Sequence, residues 1–184
     1  MLGILFPAEC IFAGSMFFQV KSLRRNAENL TKLAECDLTF AGAALGILQD
    51  LESRGFRPWI RQSWRSPDDQ ELAFRFGQSE VLFGFHNFTG PHGEPRSFAI
   101  DIVENRDSVE TSTSYAIVLA GVARRRGLTT GILWGLSDSE RQIVNRAVEE
   151  GRHPRAMKIG WDPCHVEPSG VSVSAMRSHL GGSR

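Results

Sequence analysis

With 184 residues, 41% of them apolar and 23% charged, the chain has the size and composition of one folded domain, which excludes a disordered segment and two separately buried cores. The 21 basic and 21 acidic side chains cancel, so no global field gathers nucleic acid or an anionic membrane. Cys10, Cys36 and Cys164 leave one thiol over in any pairing and match no zinc-finger or CxxC spacing, so disulfides are not expected to hold the fold.

Residues 1–20 are apolar, but they carry no Lys or Arg before Lys21 and are interrupted by Pro7 and Glu9. That pattern reads as a folded N-terminal extension over about residues 1–21 rather than a signal peptide, so the chain is expected to be made in the cytoplasm. No segment reaches the ~20 uninterrupted apolar residues of a membrane span. From Ser22 the sequence turns polar and helix-prone. After Asp37, a candidate N-cap, Leu38, Ala41, Leu45 and Leu48 recur at helical spacing until Gly55. Residues 56–64 read as a short strand. Ser66-Pro67-Asp68-Asp69 then opens a helix to about Phe76: Ser66 caps, Pro67 suits the first turn, and the aspartates favour the positive end of the helix dipole.

Residues 83–96 hold Gly84, Gly90, Pro91, Gly93 and Pro95 and read as an exposed loop. A strand follows over residues 97–103, with Phe98, Ile100 and Ile102 on one face and Ala99, Asp101 and Val103 on the other. Residues 113–126 form a helix with Tyr115, Val118, Leu119, Val122 and Ala123 on its apolar face and a basic last turn. Residues 129–134 read as a strand. Ser137 and Glu140 make a capping box for a helix to about Glu150, closed by Gly151. The last structured segment is read over residues 159–167. The pattern predicts a single α+β domain with a small, mainly antiparallel sheet flanked by helices and a core over about residues 37–168. A monomer is expected.

Polar residues concentrate in apolar surroundings at residues 62–70, 86–101 and 162–167. Imidazole with carboxylate suits zinc, and three protein ligands suffice for a catalytic site that keeps one position open, so His86, Asp101 and His165 are a sufficient set. Each also has a plainer reading, since lone histidines are mostly surface or structural residues and Asp101 could answer an arginine. Asp101 nevertheless lies mid-strand, where an unpaired carboxylate is costly. His165 and Glu167 share a strand face, and Asp162 approaches from the preceding turn. Cys164 points to the opposite face and reads as a buried structural thiol.

Three blocks in order resemble the M15 family of zinc peptidases, the D-alanyl-D-alanine carboxypeptidases and L-alanyl-D-glutamate endopeptidases of bacterial cell walls and phage lysis. Gln62-Ser63-Trp64-Arg65-Ser66 with Gln70 resembles its GYRS-x3-Q; His86-Asn87 with Ala99-Ile100-Asp101-Ile102 resembles its SxHxxGxAxD; Trp161 to Glu167 resembles its DxPHFE. Gly127-Leu128 to Trp134-Gly135 is similar to its GLxWGG stretch. The resemblance implies a Hedgehog/D-Ala-D-Ala-peptidase-like fold, zinc on His86, Asp101 and His165, and Asp162 as the catalytic carboxylate. It also implies that Arg65 grips a substrate carboxylate or the developing oxyanion. Glu167, Gln70, Ser63 and Trp64 match positions that orient a ligand or touch substrate.

The implied partner is the peptidoglycan stem peptide, attacked at the bacterial cell wall by a phage endolysin-like enzyme, as endopeptidase or carboxypeptidase. The alternative is a non-catalytic zinc-containing module of the same fold that binds cell wall or protein, as in the signalling domain of Hedgehog proteins. The chain departs from the family in placing Asp101 fifteen positions after His86 rather than seven, with residues 89–97 inserted, which brings in His92 as a competing ligand. It also has Gly84, Cys164 and Val166 where the family has Ser, Pro and Phe, and a second insertion over residues 137–158.

Overall fold

The computed structural model describes the backbone of residues 8–106 and 111–181, with side chains described within those spans from Lys21 to Leu180. The elements in order are α1 (Ala8–Leu33), α2 (Leu38–Ser53), β1 (Trp59–Gln62), α3 (Pro67–Arg75), β2 (Ile100–Val103), α4 (Thr113–Arg124), β3 (Leu128–Gly131), α5 (Asp138–Glu150), β4 (Asp162–Pro168) and α6 (Val173–Gly181), with one turn of 3-10 helix at Phe85–Asn87. The fold is α+β, as the sequence pattern predicts. The expectation of a folded N-terminus falls partly on residues 1–7, outside the described residues. Among the described residues no helix is long and apolar enough to cross a membrane.

Local chemistry sets the helix starts. The Asp37 carboxylate accepts from the backbone N–H of Thr39 and Phe40, Ser66 caps α3 through Asp69, and Ser137 with Glu140 closes a reciprocal box at α5. Gly151, with φ of 66°, ends α5 in the left-handed conformation that only glycine adopts freely.

The four strands form one antiparallel sheet in the order β1-β2-β4-β3. On one face Ile100, Ile102 and Val166 are fully buried with Leu119 and Val122 of α4 and Ile47 and Leu51 of α2. Each such side chain contributes roughly 1.5–3 kcal/mol by leaving water. The opposite side of α4, at Ala116, Ile117 and Ala120, packs with Ile132, Leu136 and the buried Val144, Ala147 and Val148 of α5. Tyr115, also fully buried, donates its hydroxyl to the Ile102 carbonyl at 3.2 Å and ties α4 to β2.

Several details differ from the sequence reading: residues 85–88 of the segment read as an exposed loop are buried, and the strands read over 56–64 and 97–103 shorten to β1 and β2. The helix expected from Ser22 begins at Ala8, and its C-terminal half joins the core: the Asn29 side chain bridges the Pro58 carbonyl (3.0 Å) and the Ile60 N–H (2.8 Å). The strand read over residues 129–134 runs Leu128–Gly131 and ends at a bulge. Helix α6 was not expected, yet Val173, Met176 and Leu180 pack on the main core.

Candidate metal centre

The sheet register creates the centre. Asp101 of β2 and His165 of β4 are direct cross-strand partners, so period-two alternation sends both side chains to the face opposite Ile100, Ile102 and Val166. A slip of one residue would turn Asp101 into the core and carry His165 away from it. His86 arrives from the 3-10 turn, which Phe88 anchors by packing on Phe85 and Phe98. The turn is stitched to the segment after β1: Arg65 N–H donates to the His86 carbonyl (3.0 Å), and the Asn87 amide donates to the Arg65 carbonyl (3.0 Å).

His86, Asp101 and His165 are each 7% exposed, and one ligand atom from each lies within 4.8 Å of the others. His165 Nδ1 is 3.2 Å from both Asp101 Oδ1 and His86 Nε2, and His86 Nε2 is 3.5 Å from Asp101 Oδ1. The outward ring nitrogens are both occupied. His86 Nδ1 meets the Ser63 carbonyl, and His165 Nε2 lies 3.0 Å from Glu167 Oε2. With each outward nitrogen donating to its oxygen, a metal at the centre would take the lone pairs of the inward nitrogens; without one, those nitrogens carry protons to Asp101.

The electrostatics fit a cation at this point. Burial pushes the Asp101 carboxyl up, but hydrogen bonds from His165 and His86 outweigh it and hold the group far below the usual carboxylate range. Burial pushes His165 down, yet Asp101 and Glu167 together raise it to about 10. The cluster therefore demands a positive charge at its centre, from a proton or a metal. Two imidazoles and one carboxylate with an open side are a donor set that divalent zinc accepts. Glu167→Gln should weaken metal affinity by about 10–100-fold while leaving the fold intact, measured by competition with a chromogenic chelator.

The three groups lie on the floor of a cleft of about 660 Å³. Asp162, Arg65, Gln70 and Glu167 line it, as do Trp134, Trp161 and Arg141. Asp162 is half-buried, and its carboxyl is raised, first by that burial and then by the charge of Asp101. Arg65 donates Nη1 to Gln70 Oε1 at 3.0 Å, and buried Gln70 is itself fixed by Ser79 (2.8 Å) and the Val81 carbonyl (2.5 Å). Ser63 and Trp64 do not line the cleft. Ser63 acts from behind through its carbonyl on His86, while the Trp64 indole N–H is buried without a partner among the described residues.

His92 does not compete for the metal. The inserted residues fold into a hairpin, bridged at Thr89 and Pro95 and tied by the Arg96–Asp37 ion pair (2.8 Å), with His92 exposed at its tip. Cys164 is buried on the other face of β4, and its Sγ lies 2.6 Å from the Thr111 hydroxyl.

Sequence reasoning missed several supports. Glu35 holds the Ser63 hydroxyl, Ser97 donates to the Ser63 carbonyl (3.3 Å), and the Trp134 ring lies 5.0 Å from that of His165. A further support is the close crossing of two backbones. A Cβ on Gly131 would collide with the Asp162 carbonyl and the Trp134 ring. Gly131→Ala should therefore displace Asp162 and lower Tm by several degrees, checked by thermal melting.

No family model and no curated relative matches the sequence. Among solved structures, the chain is similar to the L-Ala D-Glu endopeptidase ChiX of Serratia marcescens, with 16% identity over 84% of this chain and 91% of that one and a TM-score of 0.45. A likeness that distant carries no weight for function.

Proposed function

We propose that the chain is a zinc peptidase that hydrolyses a peptide bond in the stem peptide of peptidoglycan. The observation that carries this reading is the convergence of His86, Asp101 and His165 on one point at the floor of an open cleft lined by Asp162 and Arg65. Bound zinc supplies Lewis acidity and lowers the pKa of a water toward ~7. The chain's own residues do the rest. Asp162, lining the cleft beside the metal cluster, is suited to take a proton from the attacking water and hand it to the leaving amine. Arg65, fixed by Gln70, faces the cleft as a preset cation for a substrate carboxylate or for the carbonyl oxygen as it gains charge. Glu167 keeps the His165 ring turned with its Nδ1 inward.

The substrate class rests on the three ordered sequence blocks, which resemble wall peptidases. The test is purified protein on wall sacculi, with chelator and after zinc is restored, followed by mass spectrometry of the released muropeptides. New amino termini are expected, lost with chelator and regained with zinc. Full activity in chelator would end the metallopeptidase reading, and saturable wall binding without any new amine would replace it with a binding module. The masses also separate endopeptidase from carboxypeptidase cleavage.

A further inference from the structure

We propose that Arg141 is a specificity residue that grips a second substrate carboxylate, so that the cleft holds an acidic peptide on both sides of the metal. The proposal rests on the peptidase reading above and names its substrate class.

The sheet order makes the argument. The ligand strands β2 and β4 are central, and β1 and β3 are the edges. Arg65 follows β1, whereas Arg141 lies in the first turns of α5, which follows β3; both line the same cleft. Neighbouring strands lie about 4.8 Å apart, so the two edges are separated by about 14 Å with the metal cluster between them. An extended peptide of about four residues covers that span.

Arg141 is held in place by the fold. Its helix start is capped by Ser137, and Val144, Ala147 and Val148 bury the next turns against α4. Its Nε donates to the Leu136 carbonyl at 3.0 Å, and its terminal nitrogens have no acceptor among the described residues. The adjacent Glu140 does not neutralise it, being engaged by Ser137 and by Lys158 at 3.2 Å. The carboxylates of the cleft lie elsewhere: Asp162 and Glu167 beside the metal cluster, and Glu80 on the loop after α3. Trp134 and Trp161, with ring centroids 5.2 Å apart, line the cleft as well, and Trp161 is 52% exposed. A guanidinium with both terminal nitrogens available pairs with a carboxylate in two-point fashion. A site that removes one terminal residue needs a single such clamp, whereas clamps flanking the metal suit an internal bond between two anionic groups.

The probe is the tetrapeptide L-Ala-γ-D-Glu-L-Lys-D-Ala, in which D-Glu is joined to Lys through its side-chain carboxyl so that its α-carboxyl is free, made with a carboxamide in turn at that α-carboxyl and at the C terminus. Zinc-loaded protein should prefer each carboxylate over its amide by about 10–100-fold in kcat/KM. Arg141→Gln should erase that preference at one of the two positions, mainly through KM, and Arg141→Lys should restore part of it. Preference kept at both positions in Arg141→Gln, or absent from the unaltered protein, overturns the proposal. Calorimetry of the same peptides on zinc-loaded Asp162→Asn, with and without Arg141→Gln, gives a second readout. Arg141-dependent binding without hydrolysis by the unaltered protein would sink the peptidase reading alone, and hydrolysis indifferent to Arg141 would sink only this proposal.

Discussion

Asp101→Ala is expected to abolish stoichiometric zinc binding and to lower peptide-bond hydrolysis by about a thousandfold or more. Asp101 is the one carboxylate of the cluster, and its Oδ1 is the atom both imidazoles face. Two neutral imidazoles do not complete a set of three protein ligands. The metal's contribution to a hydrolytic transition state is several kcal/mol, which at ~1.4 kcal/mol per decade sets the size of the loss. Asp101→Asn is the control for packing, because it keeps the volume at a buried position of β2 while removing the charge. Elemental analysis of both variants after purification reads the metal directly. Retention of a full equivalent of zinc in Asp101→Ala would show that the cluster is not the binding site.

What the sequence revealed followed from local chemistry. The caps at Asp37, Ser66 and Ser137 were legible because a side chain two or three residues from the backbone N–H it satisfies leaves its mark in the sequence. The alternation of Ile100, Asp101 and Ile102 was legible because a strand has a period of two. The pairing of Asp101 with His165 was not, since it depends on β4 inserting between β2 and β3 across more than sixty residues. The motif resemblance supplied the ligand set that alternation alone left open.

The supports stayed hidden for a related reason. The Ser63 group that fixes His86 is a backbone carbonyl, which has no residue signature, and the Ser63 hydroxyl is held by Glu35, 28 positions earlier in the turn after α1. The strand read through Trp134 stops at Gly131 because the chain there meets the backbone of Asp162, a long-range contact that no propensity registers. Asn29 was passed over as a polar residue in a polar helix, although it is 4% exposed and satisfies two backbone groups beside β1.

Asp162→Asn is expected to cut kcat by about 10²–10⁴-fold, the range for losing a positioned proton acceptor, while metal content stays at one equivalent. It should also make the metal-free protein more stable. The Asp162 carboxyl is raised by burial and by the charge of Asp101, so the folded chain holds its proton more tightly than the unfolded chain does. Such a group adds stability below its unfolded pKa, near 3.8, and that contribution is lost as pH rises through the higher folded value. At neutral pH the ionised side chain is a net cost to the fold, which the neutral amide of Asn removes. For a chain of this length each kcal/mol recovered raises Tm by about 2–4 °C. Thermal melts of the chelated proteins at pH 7 and at pH 4 should therefore show a gain for Asp162→Asn that shrinks at the lower pH. Asp162→Asn protein that is inactive but no more stable at pH 7 would show that the carboxyl is not raised in the folded chain, and one with full activity would remove Asp162 from the chemistry.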